Sequence, residues 1–496
     1  MINDYLKDLI LHHFGLKPTH DQAKVIDSLC EFILSPDADS VFILRGFAGT
    51  GKTSLVSALV KTMEQLEQEC VLLAPTGRAA KVLSLYADHP AFTIHKRIYR
   101  QKSIDKDSIF TLNFNMRQNL LFICDEASMI ANDEYLSGSL YGTGRLLDDL
   151  VHFVYGGKGC RLILLGDTAQ LPPVGDTESP ALQDDYMQGY GFRVISHTLT
   201  EVVRQADSSG ILWNATHLRQ VLLAQFSAPS TQLPQIRFQG FPDVKNIPGN
   251  ELIEVLEECY NRDGEDETIV VTRSNKRANI YNNGIRGKIL WREEILESGD
   301  MLMVAKNNYY WTEKQALPTE KAQKETEEEG APFDFIANGD TAIVRRVRNE
   351  RNFYGFTFVD AELEFPDFNH YTLQLTLLTD TLQAEAPALT REQQNTLYNN
   401  IMEDYASDPT LRSKQEKLKA LRQDPYYNAL QIKYAYAVTC HKAQGGQWTN
   451  VFIDQGYMTE ELLTPEYYRW LYTAITRATK RVFFVNWPKE QVMKDI

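Results

Sequence analysis

Apolar residues follow three successive rhythms along this chain. At the start, "MINDYLKDLILHHFGL" (1–16) sets Leu6, Leu9, Ile10 and Phe14 at helical spacing, which predicts an amphipathic helix. Its charges at Asp4, Lys7 and Asp8, and its lack of a small-residue cleavage site, argue against a signal peptide. Four short apolar runs then recur at 41–46, 71–75, 121–126 and 161–167, with helix-spaced or polar stretches between them. That alternation predicts a parallel sheet of the α/β class. Between about 291 and 429 the period shortens. "DMLMVAK", "DTAIVRRV", "FYGFTFVDAELEF" and "YTLQLTLL" alternate and are punctuated by Gly, Asn and Asp, which predicts a small β-barrel. A charged, helix-prone stretch (390–423) follows it, and a Pro/Ser/Gln-rich connection (226–250) reads as a loop.

Bulk composition narrows the class. A chain of 496 residues is long enough for two or three domains, and 43% hydrophobic with 24% charged residues is an ordinary globular balance. No apolar run approaches the ~18 residues of a membrane span. The six cysteines are scattered without a C-x-x-C, which points to reduced thiols in a cytoplasm and away from a zinc site or disulfide framework. The net charge of −15 speaks against a wholesale basic nucleic-acid binder. A narrow groove with a few cations and backbone amides can still hold phosphates on an acidic body. The acidic run 320–330 reads as a solvated loop or disordered segment.

Chemistry enters with "VFILRGFAGTGKTS" (41–54), a strand, a G-x-x-x-x-G-K-T loop and a helix start. Its loop, Gly46 to Ser54 with Ala48, Gly49, Thr50 and Gly51, can wrap backbone N–H groups around a nucleotide's phosphates. Lys52 would reach the β- and γ-phosphates, and Thr53 would ligate Mg²⁺. "LLFICDEASMI" (120–130) ends an apolar strand in Asp125 for the metal and Glu126 for the attacking water. A D-E pair alone is more often a solvated strand end; the phosphate loop gives it its meaning. "LILLGDTAQLPPVG" (162–175) then brings Gln170 to the same sheet edge, where it can donate to a γ-phosphate and report its loss.

Two other nucleotide-binding classes fit poorly. "SNKRAN" (274–279) has Ala278 where guanine recognition by N-K-x-D needs Asp, and "LSGSL" (136–140) is an incomplete transporter signature on the wrong side of the D-E strand. The ordered series "GFAGTGKTS", "VLLAPTGRAAKVL", "TIHKRIY", "ICDEASMI", "LLGDTAQLPPVG", "LTEVVRQ", "YAVTCHKAQGGQWTNVFID" and "LYTAITRATKRV" resembles the superfamily 1 helicases, in detail the RecD/Dda/Pif branch, 1B. The resemblance runs from about Thr19 to about Val485 and is weakest between 290 and 430.

The resemblance implies ATP and Mg²⁺ as cofactors, and a monomeric motor moving 5′ to 3′ on single-stranded DNA up to single-strand/duplex junctions, in repair, recombination or replication. By residue, it implies that Gln22 reads adenine, that Arg204 and Arg477 contact the γ-phosphate, and that Gly445 belongs to the nucleotide site. Thr76, Arg78, His95, Thr439, His441 and Lys442 would bind DNA, with Lys81 beside them and Phe92, Tyr99 and Trp448 as neighbouring aromatics. It implies a first RecA-like lobe at 1–194 with a β-hairpin pin at 100–119, and a second lobe at 195–290 and 430–496. An SH3-like barrel with a helical segment at 291–429 would interrupt that second lobe. A different class stays open: a P-loop ATPase that remodels or regulates proteins and no longer moves on a strand.

Overall fold

The computed structural model describes the chain except residues 1, 102–109, 133–141, 203–207, 228–232, 313–334, 459–462 and 495–496. The candidates Arg204, the acidic run 320–330 and the tip of the 100–119 segment therefore lie outside the described residues.

The first sheet is wholly parallel, in the order β3-β2-β6-β7-β1-β8. Its strands are β1 (Ser40–Gly46), β2 (Cys70–Ala74), β3 (Ala91–Thr93), β6 (Leu121–Cys124), β7 (Arg161–Gly166) and β8 (Arg193–Leu199). Continuous apolar runs suit its middle strands because helices cover both faces; β2 and β6 are buried at every position. On one face lie α1 (Ile2–Phe14), α2 (His20–Leu34), α3 (Lys52–Gln65) and α4 (Gly77–Ala87), which share a core with the sheet. α1 buries Leu6, Ile10 and Phe14, as its spacing predicts. The expected lobe boundary at 194 needs correction. β8 pairs with β1 from Arg193 to Leu199, so the first sheet claims the chain through Leu199.

A short antiparallel pair, β4 (Tyr99–Gln101) with β5 (Phe110–Leu112), leaves this lobe as a hairpin base. The second sheet is also parallel, in the order β16-β10-β17-β18-β9. It comprises β9 (Val244–Ile247), β10 (Thr268–Thr272), β16 (Ala437–Thr439), β17 (Trp448–Asp454) and β18 (Ala478–Val485).

Between β10 and β16 the chain builds a closed barrel of β11 (Met301–Val304), β12 (Thr341–Phe353), β13 (Phe356–Phe365), β14 (Tyr371–Leu378) and β15 (Leu430–Tyr434). The alternating runs predict four of these. The fifth corrects the second boundary: Leu430–Tyr434 pairs with β11 and β14, so the barrel and not the second lobe owns the chain to Tyr434. Barrel and lobe share one core, in which Leu302, Val344 and Leu375 pack with Val270, Ile285 and Phe483. At the barrel's entrance Arg286 makes a buried two-pronged ion pair with Asp300, at 2.8 and 2.9 Å, and the Tyr436 hydroxyl donates to the same carboxylate at 3.1 Å. The stretch 390–423 forms two helices, Arg391–Ser407 and Lys414–Arg422, each begun by a capping box. Their Leu397, Ile401 and Leu421 cover the barrel's Phe356, Phe358 and Leu378.

Candidate nucleotide and strand site

The loop after β1 turns on glycines. Gly49 and Gly51 have φ of +75° and +84°, the left-handed region that side chains resist. A Cβ on Gly51 would also lie 2.6 Å from Gln22 Nε2. Lys52 Nζ donates to the Gly46 carbonyl and, at 3.3 Å, to that of Phe47, so its ammonium arches over the loop at the start of α3. Thr50 is buried and its hydroxyl donates to the Phe47 carbonyl at 2.8 Å. Gln22 is almost wholly buried. Its Oε1 accepts from the Thr19 N–H at 2.9 Å in a capping box, and its Nε2 donates to the Thr50 carbonyl at 2.9 Å. Both ends of this amide thus brace α2 against the phosphate loop.

β6 delivers the carboxylates. The Glu126 N–H donates to Asp125 Oδ1 at 2.8 Å, and Glu126 takes a left-handed φ of +53° that turns its side chain off the strand. Burial pushes both carboxyls above the ordinary carboxylate range. Lys52 opposes that shift at Asp125; Arg477, then Lys52, opposes it at Glu126. The four groups are therefore within electrostatic reach of one another. The carboxylate and hydroxyl oxygens of Asp125 and Thr53 are the hard donors that Mg²⁺ prefers. On the next strand's loop Gln170 is 7% exposed, and its Oε1 has no hydrogen-bond partner among the described residues. A buried amide oxygen left open is costly unless something else fills the space beside it.

The second lobe closes on this loop. Phe47, Ala169 and Leu171 sit in a core otherwise built by that lobe's Ile211, Leu218 and Ile475. The helix Gly210–Ser227 stacks Arg219 over the Phe47 ring, 4.4 Å from its centre. The helix Pro465–Ile475 places the Tyr472 hydroxyl to donate to Asp167 and accept from the Ala48 N–H. Just past that helix, buried Arg477 donates to the carbonyls of Thr473 and Gly446, at 3.1 and 3.2 Å.

The opposite flank brings together the remaining candidates. Thr76 caps α4, its hydroxyl accepting from the Ala79 N–H at 3.2 Å. Gly445 needs correction. At φ +72° it lies against α4, where a Cβ would stand 2.9 Å from Ala79 Cβ and 3.2 Å from Thr76 Oγ1, so it belongs with the Thr76 group and not with the phosphate loop. Arg78 stacks over Trp448 at 3.9 Å and donates to the Gln447 carbonyl at 3.3 Å. Trp448 is thereby covered, and Tyr99 is buried with its hydroxyl on Asp149, so neither offers an open face for stacking. Thr439 starts a helical turn with its hydroxyl unused in capping, and His441 and Lys442 follow. Burial lowers the Lys442 ammonium to about 8, and its Nζ has no hydrogen-bond partner among the described residues. His95 is not part of this group. Its ring packs on Tyr99 and Phe335, and burial pushes its pKa down to about 4, so it is a neutral packing residue at the hairpin base.

Sequence reasoning missed the barrel's reach to α4. Lys81 pairs with Asp367 at 3.0 Å and donates to the Pro366 carbonyl, while Asp340 Oδ1 crowds Gly77 at the first turn. Asp340 is buried, accepts from the Ala337 N–H at 2.7 Å, and is pushed up to about 7 by burial with Asp367 adding to it. It missed Tyr472 as well, although Tyr472 lies five positions before Arg477 in a motif already singled out.

Comparison with known proteins covers both lobes. Residues 18–221 match the model of an AAA domain family, and residues 434–485 that of the UvrD-like helicase C-terminal domain. The chain is 24% identical to an uncharacterized protein of Acanthamoeba polyphaga mimivirus, over 94% of this chain and 99% of that one. It is 30% identical to the ATP-dependent RecD2 DNA helicase of Deinococcus radiodurans, over 39% of this chain and 23% of that one. Among solved structures it is similar to a Pif1 helicase from Bacteroides in complex with ADP-AlF3 and single-stranded DNA. That likeness has TM-score 0.43 and 15% identity, covering 97% of this chain and 95% of the other.

Proposed function

We propose that the chain is a superfamily 1B helicase of the RecD/Pif type, an ATP-driven DNA motor that moves 5′ to 3′ on single strands and separates duplex ahead of it. The observation that carries the reading is the closure of both lobes on one loop: Lys52 and Glu126 come from the first lobe, and Arg477 comes to them from the second.

ATP binds with its phosphates on the amides of the Gly46–Ser54 loop and with Lys52 over the β- and γ-phosphates. Thr53 and Asp125 would hold Mg²⁺, which would supply charge neutralisation at the phosphates. Glu126 accepts the proton of the attacking water, its ionised form favoured by Arg477 and Lys52 against the cost of burial. Gln170 offers its amide to the γ-phosphate. Arg477, with Arg204 as its expected companion, stabilises the transition state from the second lobe, so hydrolysis requires closure. Gln22 supports the loop, and its second amide hydrogen and second oxygen lone pair are what it would offer to adenine. Thr76 with the α4 amides on one lobe, and Thr439, His441 and Lys442 on the other, hold two successive stretches of strand. Opening and closing the cleft then moves one grip relative to the other. The β4–β5 hairpin serves as the wedge at the junction. Six buried, unpaired cysteines suit a reducing cytoplasm.

Strand displacement on 5′-tailed and 3′-tailed duplexes tests this reading. Unwinding of the 5′-tailed substrate with strand-stimulated ATPase is expected, and a Gly-Ser turn in place of 103–114 should remove unwinding while ATPase survives. Unwinding of the 3′-tailed substrate alone would overturn the polarity. ATPase without strand stimulation would favour a protein-remodelling ATPase instead.

A further inference from the structure

The loop Asp167–Leu171 is held by the second lobe at both ends. At one end the Tyr472 hydroxyl donates to Asp167 Oδ2 at 2.7 Å and accepts from the Ala48 N–H at 2.8 Å. At the other, the Leu171 N–H donates to Thr473 Oγ1 at 2.9 Å, and the Leu171 carbonyl accepts from Gln444 Nε2 at 2.7 Å. Gln170, with its unpartnered Oε1, lies between these two grips.

We propose that Tyr472 is a positioning residue for ATP hydrolysis: its hydroxyl ties the phosphate loop, through Ala48, to the Gln170 loop, through Asp167, and sets both in register with Arg477. The proposal rests on the ATPase reading above.

Three features make the hydroxyl a joint and not a packing group. Asp167 is otherwise fixed: it is buried and its Oδ1 accepts from the Ala169 N–H at 2.9 Å, which leaves Oδ2 to Tyr472. Tyr472 is fully buried, and burial raises its pKa well above the ordinary phenol value, so the proton it donates is present across the working pH range. Arg477 is tied to the same helix end through the Thr473 carbonyl. A rotation that pulls Tyr472 from Asp167 therefore withdraws Arg477 from Glu126 as well. Lobe closure is read at Tyr472, and binding of nucleotide to the first lobe is not.

The test compares the parent with Tyr472→Phe, Asp167→Ala and the double variant. Nucleotide sites are titrated with a fluorescent ATP analogue, and steady-state ATPase is measured with saturating oligo(dT) and expressed per titrated site. Tyr472→Phe keeps the ring and its packing. It should hold nucleotide affinity and KM within about threefold and lower kcat on the order of ten- to a hundredfold, because the groups are misplaced and not removed. The double variant should be no slower than Tyr472→Phe alone, since each change removes the hydroxyl-to-carboxylate bond and Tyr472→Phe already removes the Ala48 bond as well. A kcat per site within about twofold of the parent for Tyr472→Phe, or effects that multiply in the double variant, would overturn the proposal. If Tyr472→Phe binds no nucleotide at all, Asp167→Ala with Tyr472 intact removes the same bond without offering a substitute, and an unchanged kcat there overturns it equally. Failure of the parent to hydrolyse ATP in response to oligo(dT) would instead remove the ATPase reading, and is seen before any variant is made.

Discussion

The two flanks of the first lobe are built on opposite plans. On the nucleotide flank, Gly46 to Thr53 form the floor within eight consecutive residues, and the second lobe adds Tyr472 and Arg477 from a single helix end. On the strand flank, α4 meets groups from three distant places: Gly445 and Trp448 of the second lobe, Asp340 of one barrel strand's start, and Pro366–Asp367 of a barrel loop. The first plan fixes chemistry locally and borrows only the timing of closure from elsewhere. The second fixes nothing locally, so its shape is a property of how three bodies dock. Substitutions on the nucleotide flank should therefore change rates without changing the fold, and those on the barrel side should do the reverse.

The largest effect expected is from Lys52→Ala, which removes the cation proposed to meet the phosphates while leaving the core intact. ATPase should fall by about a hundredfold or more, with an unchanged melting temperature. Glu126→Gln should lose hydrolysis to a similar extent yet keep nucleotide binding. Melting curves that shift with either variant would blur the distinction between the flanks.

Arg286→Ala is the mirror experiment. It leaves buried Asp300 with Arg292, 3.3 Å from Oδ1, as its remaining cation, so the loss should be at most about 3–5 kcal/mol. Urea denaturation should show that loss, and a midpoint equal to the parent's would mean that the barrel is not tied to the lobe through this pair.

The smallest effect, counted per pH unit, is a pH dependence. Folded Asp340 keeps its proton up to a pH of about 7, whereas an unfolded aspartate releases it near ~3.9. In that window the folded chain binds more protons, so this residue makes stability fall as pH rises, by at most about 1.4 kcal/mol per pH unit. Asp340→Asn keeps the acceptor for Ala337 and should flatten the slope. A slope that persists unchanged would locate the pH dependence elsewhere.

The same contrast explains what could be read from the chain. Lys52, Asp125 and Glu126 were legible because a phosphate's size dictates spacing within a few residues of a strand end. Four barrel strands were legible because alternation is local. β15 was not, because "LQIKY" is as short and apolar as a strand of the second sheet, and only its pairing with β11 assigns it. The 194 boundary failed for a related reason. β8 is an edge strand with half-buried residues, so it lacks the continuous apolar signature of its neighbours. Gln22 shows the limit of motif reasoning: which groups its amide meets depends on the backbone of a loop 28 residues away. The acidic groups over α4 left no trace in sequence, since Lys81 and Asp367 are separated by most of the chain's length.

The closed barrel also shapes how this molecule can be made. β10 pairs with β17 across 182 residues, so the second sheet cannot assemble until synthesis has almost finished. At ~5–20 residues per second, β10 waits on the order of ten seconds or more with both edges unpaired. The barrel shortens that wait in space though not in time. β11 and β15 are antiparallel neighbours, with Leu302 opposite Tyr434, so a barrel that forms first delivers β16 to β10 as the ends of a short loop. The insertion then works as a clasp that removes most of the loop-closure entropy from the last step of folding.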